Sequence, residues 1–220
     1  MFFGHIGVGL AVKPVAPKAM LWVLLVSGLL LDLFFAVFEI IGFEAEGAPP
    51  PWSHGLFMSL IWSIAALVIV FLYYRDLWTS AVIGLLVFSH WVLDFISWTT
   101  PLPLLFSSSP SIIGLGLSHS YVLEAIVEFS MLIGGIAIYI VTKIKSNRKS
   151  EEELALEDLM RENRKYMIIS WSLAIGTMLG LILLGSISIG LATMFLVGIV
   201  IGIFCGFESS FQYVRAKGAL

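Results

Sequence analysis

Long apolar runs, separated by short polar turns, constrain this chain more than any other feature. They lie near 19–41, 54–74, 77–98, 121–142, 166–185 and 187–206. A helix needs about 20 apolar residues to cross the hydrocarbon layer of a bilayer. In lipid the backbone must satisfy its own hydrogen bonds, so each run is expected to be helical. The expectation is an all-α polytopic membrane helix bundle of six spans. Residues 1–12 are apolar but too few to span, and the "KPVAP" that follows carries two helix-breaking prolines. They are read as a short N-terminal half-helix entering the membrane part way. Only 12% of the 220 residues are charged, about half the usual share for a soluble domain. No basic patch points to nucleic acid, and the single Cys205 rules out a disulfide framework. No basic region precedes the apolar start, so no cleavable signal peptide is read.

With alternating spans, all twelve Lys and Arg residues fall on one side of the membrane. The positive-inside rule makes that side cytoplasmic. Loop 143–165 and the C-terminus are therefore expected in the cytoplasm. Three parts follow: 1–142, a bundle carrying the polar residues; 143–165, a charged connector; and 166–220, an apolar hairpin with a short tail. Ser150 and Glu153 have capping-box spacing within the connector. Residues 166–206 contain no ionisable Asp, Glu, His, Lys or Arg, and "GTMLG" at 176–180 fits close helix packing.

"FSHWVLDFIS" at 88–97 places His90 and Asp94 one helical turn apart, on one face of a membrane-spanning run. Both are costly in lipid and are expected to turn inward. At about 1.5 Å per residue, Asp32, His90, Asp94 and Glu124 stand about 21–28 Å above the cytoplasmic edge, and His54 about 31 Å. His5 is the outlier, only about 12 Å above Lys13. Four segments thus bring His and carboxylate groups to one layer in the outer half of the membrane. Facing each other, they would form an N/O set for a divalent ion such as Zn²⁺ or Mn²⁺, a proton relay, or a buried polar network that fixes packing. Around them, Glu128 shares a face with Glu124 and is read as supporting it. His119 is read as a loop histidine, Glu39 as interfacial, and Glu44 and Glu46 as solvated. Trp22, Trp52, Trp62, Trp78, Trp91 and Trp98 are read mainly as an aromatic belt.

The order of "FGHIGVGLAVKPVAPK" (3–18), "LLLDLFF" (29–35), "PWSHGL" (51–56), "SHWVLDFIS" (89–97) and "GLGLSHSYVLEAIVE" (114–128) resembles a group of bacterial integral membrane proteins. These are distantly similar to the inner-membrane metal-dependent hydrolase family. The resemblance covers residues 1–142. It implies His5, Asp32, His54, His90 and Asp94 as metal ligands, with Glu124 as an added acid. The chain departs from the family pattern in two places: "LLLD" keeps one Asp of a Pro-Asp-x-Asp motif, and "ISWTTPLP" follows span three where similar proteins often carry His-Arg-Pro-Asp.

The leading expectation is a metal-dependent hydrolase with Glu124 and Asp94 in catalytic roles. Its place near the outer leaflet points to an amphiphilic ester or phosphoester, with the lipid bilayer as the chain's other partner. A proton- or ion-coupled permease would use the same residue types, although the two halves show no internal repeat. A non-catalytic scaffold with a satisfied polar core is the third reading.

Overall fold

The computed structural model describes residues 1–44, 50–106, 111–147 and 196–205, together with Ile168, Ala192 and Glu208. The chain divides into two compact units, Met1–Thr142 and Lys143–Leu220. Glu46, the connector's capping-box pair Ser150 and Glu153, the run at 166–185 apart from Ile168, and "GTMLG" lie outside the described residues.

The first unit is helical. It contains α1 (Phe2–Ala11), α2 (Leu21–Gly28), α3 (Leu30–Ile40), α4 (Leu56–Tyr74), α5 (Leu77–Ser97) and most of α6 (Tyr121–Asn147). The loop before α6 carries a short ladder, β1 (Pro101–Pro103) antiparallel to β2 (Ser111–Ile113), which an all-helical expectation omits. Three helices are long and apolar enough to cross a membrane: α4, α5 and Tyr121–Lys143 of α6. The bent pair α2 and α3 raises the number to four. In the second unit the described helix is α7, Leu196–Cys205, which is shorter than a span. Its Glu208 is buried and pairs with Lys143.

The expected continuous span 19–41 is broken: α2 and α3 meet at 59°. Leu29 at the junction leaves helical geometry, with φ −108° and ψ 10°. Gly28 explains the position. Glycine is a weak helix former, and its missing side chain admits α1, since a Cβ there would stand 3.0 Å from the His5 carbonyl oxygen. Its own carbonyl turns to His90.

α4 and α5 form a tight antiparallel hairpin. Arg75 takes a left-handed conformation, and the Asp76 carboxylate caps α5 by accepting from Thr79 N–H and Oγ1–H at 3.0 and 2.6 Å. Gly84 lets the two backbones close, because a Cβ there would lie 3.0 Å from the Ser63 carbonyl oxygen. α1 and α6 approach in the same way at Gly7 and Gly135. The polar ends of α1 and α2 sit at this same end of the unit. Lys18 Nζ pairs with Asp76 at 2.6 Å, Trp78 Nε1 donates to the Val15 carbonyl at 2.9 Å, and Met20 N–H donates to the Tyr74 hydroxyl at 3.2 Å.

α5 is the central helix. Its spanning window is 56% buried, against 17% for α4 and 11% for α6. Leu86 packs with Ala16, Ala19, Leu24 and Ile83 below the site, while Val87 and Trp91 pack with Leu31 and Leu102 beside it. The polar residues of α5 therefore lie where protein surrounds them.

Candidate metal centre

Five sequence-predicted residues meet in the first unit. α5 supplies His90 and Asp94, α3 supplies Asp32 from its first turn, α1 supplies His5, and the turn before α4 supplies His54. His90 Nε2 lies 3.3 Å from Asp94 Oδ2 and 3.4 Å from Asp32 Oδ1. His54 Nε2 lies 3.4 Å from Asp94 Oδ2 and 3.5 Å from Asp32 Oδ1. His5 Nε2 stands 3.3 Å from the other Asp94 oxygen, Oδ1. The His5 ring stacks on His90, with centroids 3.6 Å apart. His5, His90 and Asp94 bring ligand atoms within 4.8 Å of one another, and so do Asp32, His54 and His90.

His5 joins the layer despite its short distance from Lys13 in sequence. Lys13 is no marker of the membrane edge, because its Nζ folds back onto the Ala19 and Pro17 carbonyls at 2.5 and 3.2 Å. The helix break at Gly28 also lets α1 run level with Asp32.

The His90 Nδ1 is 2.8 Å from the Gly28 carbonyl oxygen. A carbonyl only accepts, so Nδ1 carries the hydrogen and a neutral His90 presents a lone pair at Nε2. His90 Nε2 and Asp94 Oδ2 are both buried and have no hydrogen-bond partner. A buried polar atom left this way is costly. A cation between them would satisfy both. Neighbouring ligand atoms about 2.0–2.1 Å from a tetrahedral ion stand about 3.3–3.4 Å apart. The four imidazole-to-carboxylate separations above, of the six such a set would have, run from 3.3 to 3.5 Å. The side chains of Asp94 and His54 are each 3% exposed and that of Asp32 is 23%, so the centre opens on the Asp32 side.

Glu124 stands apart from this group. Its Oε1 accepts from Ser97 Oγ at 2.5 Å, one turn beyond Asp94 on α5. Glu128 Oε2 accepts from the Phe3 N–H at 3.0 Å and so holds the start of the helix that carries His5. Met1 N lies 3.6 Å from Asp94 Oδ1 and 3.8 Å from Glu128 Oε1. His119 Nδ1 contacts the Gly116 carbonyl at 2.9 Å within a 3₁₀ turn, away from the centre.

Two expectations are corrected. Glu44 is buried, not solvated: it accepts from Trp52 N–H, Ser53 N–H and Ser53 Oγ–H at 2.7, 2.9 and 2.7 Å. Those donors come from the turn that presents His54, and they replace the water a carboxylate would otherwise need. Trp98 is a wall of the centre, its ring stacked on His54 at 5.4 Å. Gly28 and Ser53 are further contributors, and their only sequence signal is adjacency: Ser53 precedes His54, and Gly28 lies four residues before Asp32.

Comparison with family models, with curated proteins and with solved structures yields no match to this chain.

Proposed function

We propose that this protein is a membrane-embedded metal-dependent hydrolase. The observation that carries the reading is the pair His90 Nε2 and Asp94 Oδ2, 3.3 Å apart, buried and without hydrogen-bond partners. His54, His90, Asp32 and Asp94 would hold the ion, and His5 braces Asp94 through Oδ1. The mixed imidazole and carboxylate set suits Zn²⁺, with Mn²⁺ as the alternative. A bound divalent ion lowers the pKa of water and polarises a carbonyl oxygen.

The surroundings bear on the substrate. Asp32, Glu44, Asp94, Glu124 and Glu128 all lie toward this end of the unit, whereas every Lys and Arg of residues 1–142 lies at positions 13, 18 and 75. Beyond the Met1 ammonium beside Asp94 and Glu128 and the ion itself, no Lys or Arg of residues 1–142 stands ready to hold a phosphate group. An uncharged ester on an apolar chain fits better, reached from the outer half of a bacterial inner membrane.

A second reading, a divalent-metal permease, is favoured by the number of donors. Four protein ligands would leave no open position on a four-coordinate ion, whereas catalytic sites usually keep one. The deciding experiment uses the full chain purified in detergent without affinity-tag metal. Bound metal is measured per chain, then chelator-sensitive hydrolysis of neutral long-chain esters, then Zn²⁺ flux into proteoliposomes. Stoichiometric metal with ester hydrolysis supports the hydrolase. Metal with flux and no hydrolysis supports the permease. No bound metal after incubation with Zn²⁺ or Mn²⁺ rejects both.

A further inference from the structure

The hydrogen-bond chain above His54 has a fixed direction. An ionised carboxylate only accepts, and a serine hydroxyl has one hydrogen. Glu44 Oε2 takes the Ser53 hydroxyl hydrogen at 2.7 Å. Ser53 Oγ is also 2.8 Å from His54 Nδ1, and it must accept there. The His54 ring hydrogen therefore sits on Nδ1. Nε2 keeps its lone pair, facing Asp32 Oδ1 and Asp94 Oδ2.

We infer that Glu44 is a positioning residue of the centre: acting through Ser53, it holds His54 in the tautomer whose Nε2 lone pair faces Asp32 and Asp94. The inference rests on the metal reading above and deepens it. Partners of this kind orient a ligating imidazole, and their loss typically lowers metal affinity about 10–100-fold. His90 receives the same service from the Gly28 backbone carbonyl, which side-chain substitution does not remove. His54 receives it from two side chains, both in the loop between α3 and α4. The role accounts for a buried carboxylate in an outer loop that polar sequence alone would leave in water.

Glu44→Gln keeps the shape and reverses the chain. The amide oxygen still accepts the Trp52 and Ser53 N–H groups, and the amide nitrogen then faces Ser53 Oγ as a donor. Ser53 no longer gives its hydrogen to residue 44 and can give it to His54 Nδ1, which favours the ring hydrogen on Nε2, pointing into the centre. The test uses the full chain in detergent with isotope-labelled histidine rings. NMR nitrogen shifts report which ring nitrogen is protonated, a His54→Ala spectrum supplies the assignment, and a competing chromogenic chelator reports Zn²⁺ affinity. The expected result is Nδ1–H in the wild type and Nε2–H in Glu44→Gln, with affinity down about 10–100-fold. Ser53→Ala weakens affinity in the same direction, and Ser53→Thr restores it. An unchanged tautomer and affinity in Glu44→Gln overturns the inference. If that variant does not fold, Ser53→Ala decides: affinity equal to wild type also overturns it. A wild type that binds no Zn²⁺ removes the metal reading instead, and the tautomer comparison still decides the role of Glu44.

Discussion

The carbonyl oxygen of Gly28 accepts a hydrogen bond from His90 Nδ1 at 2.8 Å. One atom thus links the break between α2 and α3 to the tautomer of a residue on α5. Gly28 also stands against the His5 carbonyl, so α2 meets there two of the elements that build the centre, α1 and α5. The packing of α1 and the orientation of His90 are therefore parts of one arrangement.

Gly28→Ala tests that arrangement. Alanine favours a helix by about 1 kcal/mol over glycine, but its Cβ would stand 3.0 Å from the His5 carbonyl oxygen. Overpacking of this kind typically costs about 1–3 kcal/mol. The variant should be less stable and bind Zn²⁺ more weakly, as read by thermal melts and chelator competition. A melt shifted upward with unchanged affinity would mean that helix propensity dominates.

His90→Ala should lose most of its bound metal. Removing the imidazole leaves Asp94 Oδ2 with one fewer nitrogen beside it and frees the Gly28 carbonyl. Elemental analysis should give about one ion per chain in the wild type and little in the variant. If the residue serves packing alone, the variant melts earlier while wild type and variant carry the same trace of metal.

Asp76 sets an acid limit at the opposite end. The Lys18 ammonium hydrogen bond, then the Thr79 hydroxyl and N–H, hold its carboxyl below the ordinary 3.8. A carboxyl lowered on folding adds stability above its unfolded value, and that stability is lost as pH falls through the folded value. The contribution is complete at neutral pH and fades from about pH 4 downward. Asp76→Ala should lower the melting midpoint at pH 7, with the difference from wild type narrowing as pH drops below 4. A constant difference across that range would contradict the assignment.

The proposed orientation gives a fourth test. A fluorescent reporter that folds only in the cytoplasm, fused after Leu220, should be bright. A periplasmic phosphatase fused at the same place should be inactive. The opposite pair of results would invert the topology.

Composition and periodicity determined the helical membrane class, because only a hydrogen-bonded helix or a closed barrel satisfies the backbone in lipid. Cost in lipid likewise picked out Asp32, His54, His90, Asp94 and Glu124, since an ionisable residue in an apolar run needs a partner, whereas His5 entered through the resemblance. The i, i+4 spacing placed His90 and Asp94 on one face. Tertiary structure decided the rest. Span 19–41 looks continuous because hydropathy averages over Gly28, whereas the break there depends on the His5 backbone and the His90 ring approaching from distant segments. Height counting left His5 too low, since it assumes straight helices and Lys13 at the membrane edge. Glu44 read as solvated because its loop is polar. Its burial depends on how 50–54 folds over it, a contact between residues eight and nine apart that carries no periodic signal. A residue's transfer cost is intrinsic and can be read from the chain, whereas its partners are set by the folded geometry that brings separate segments together.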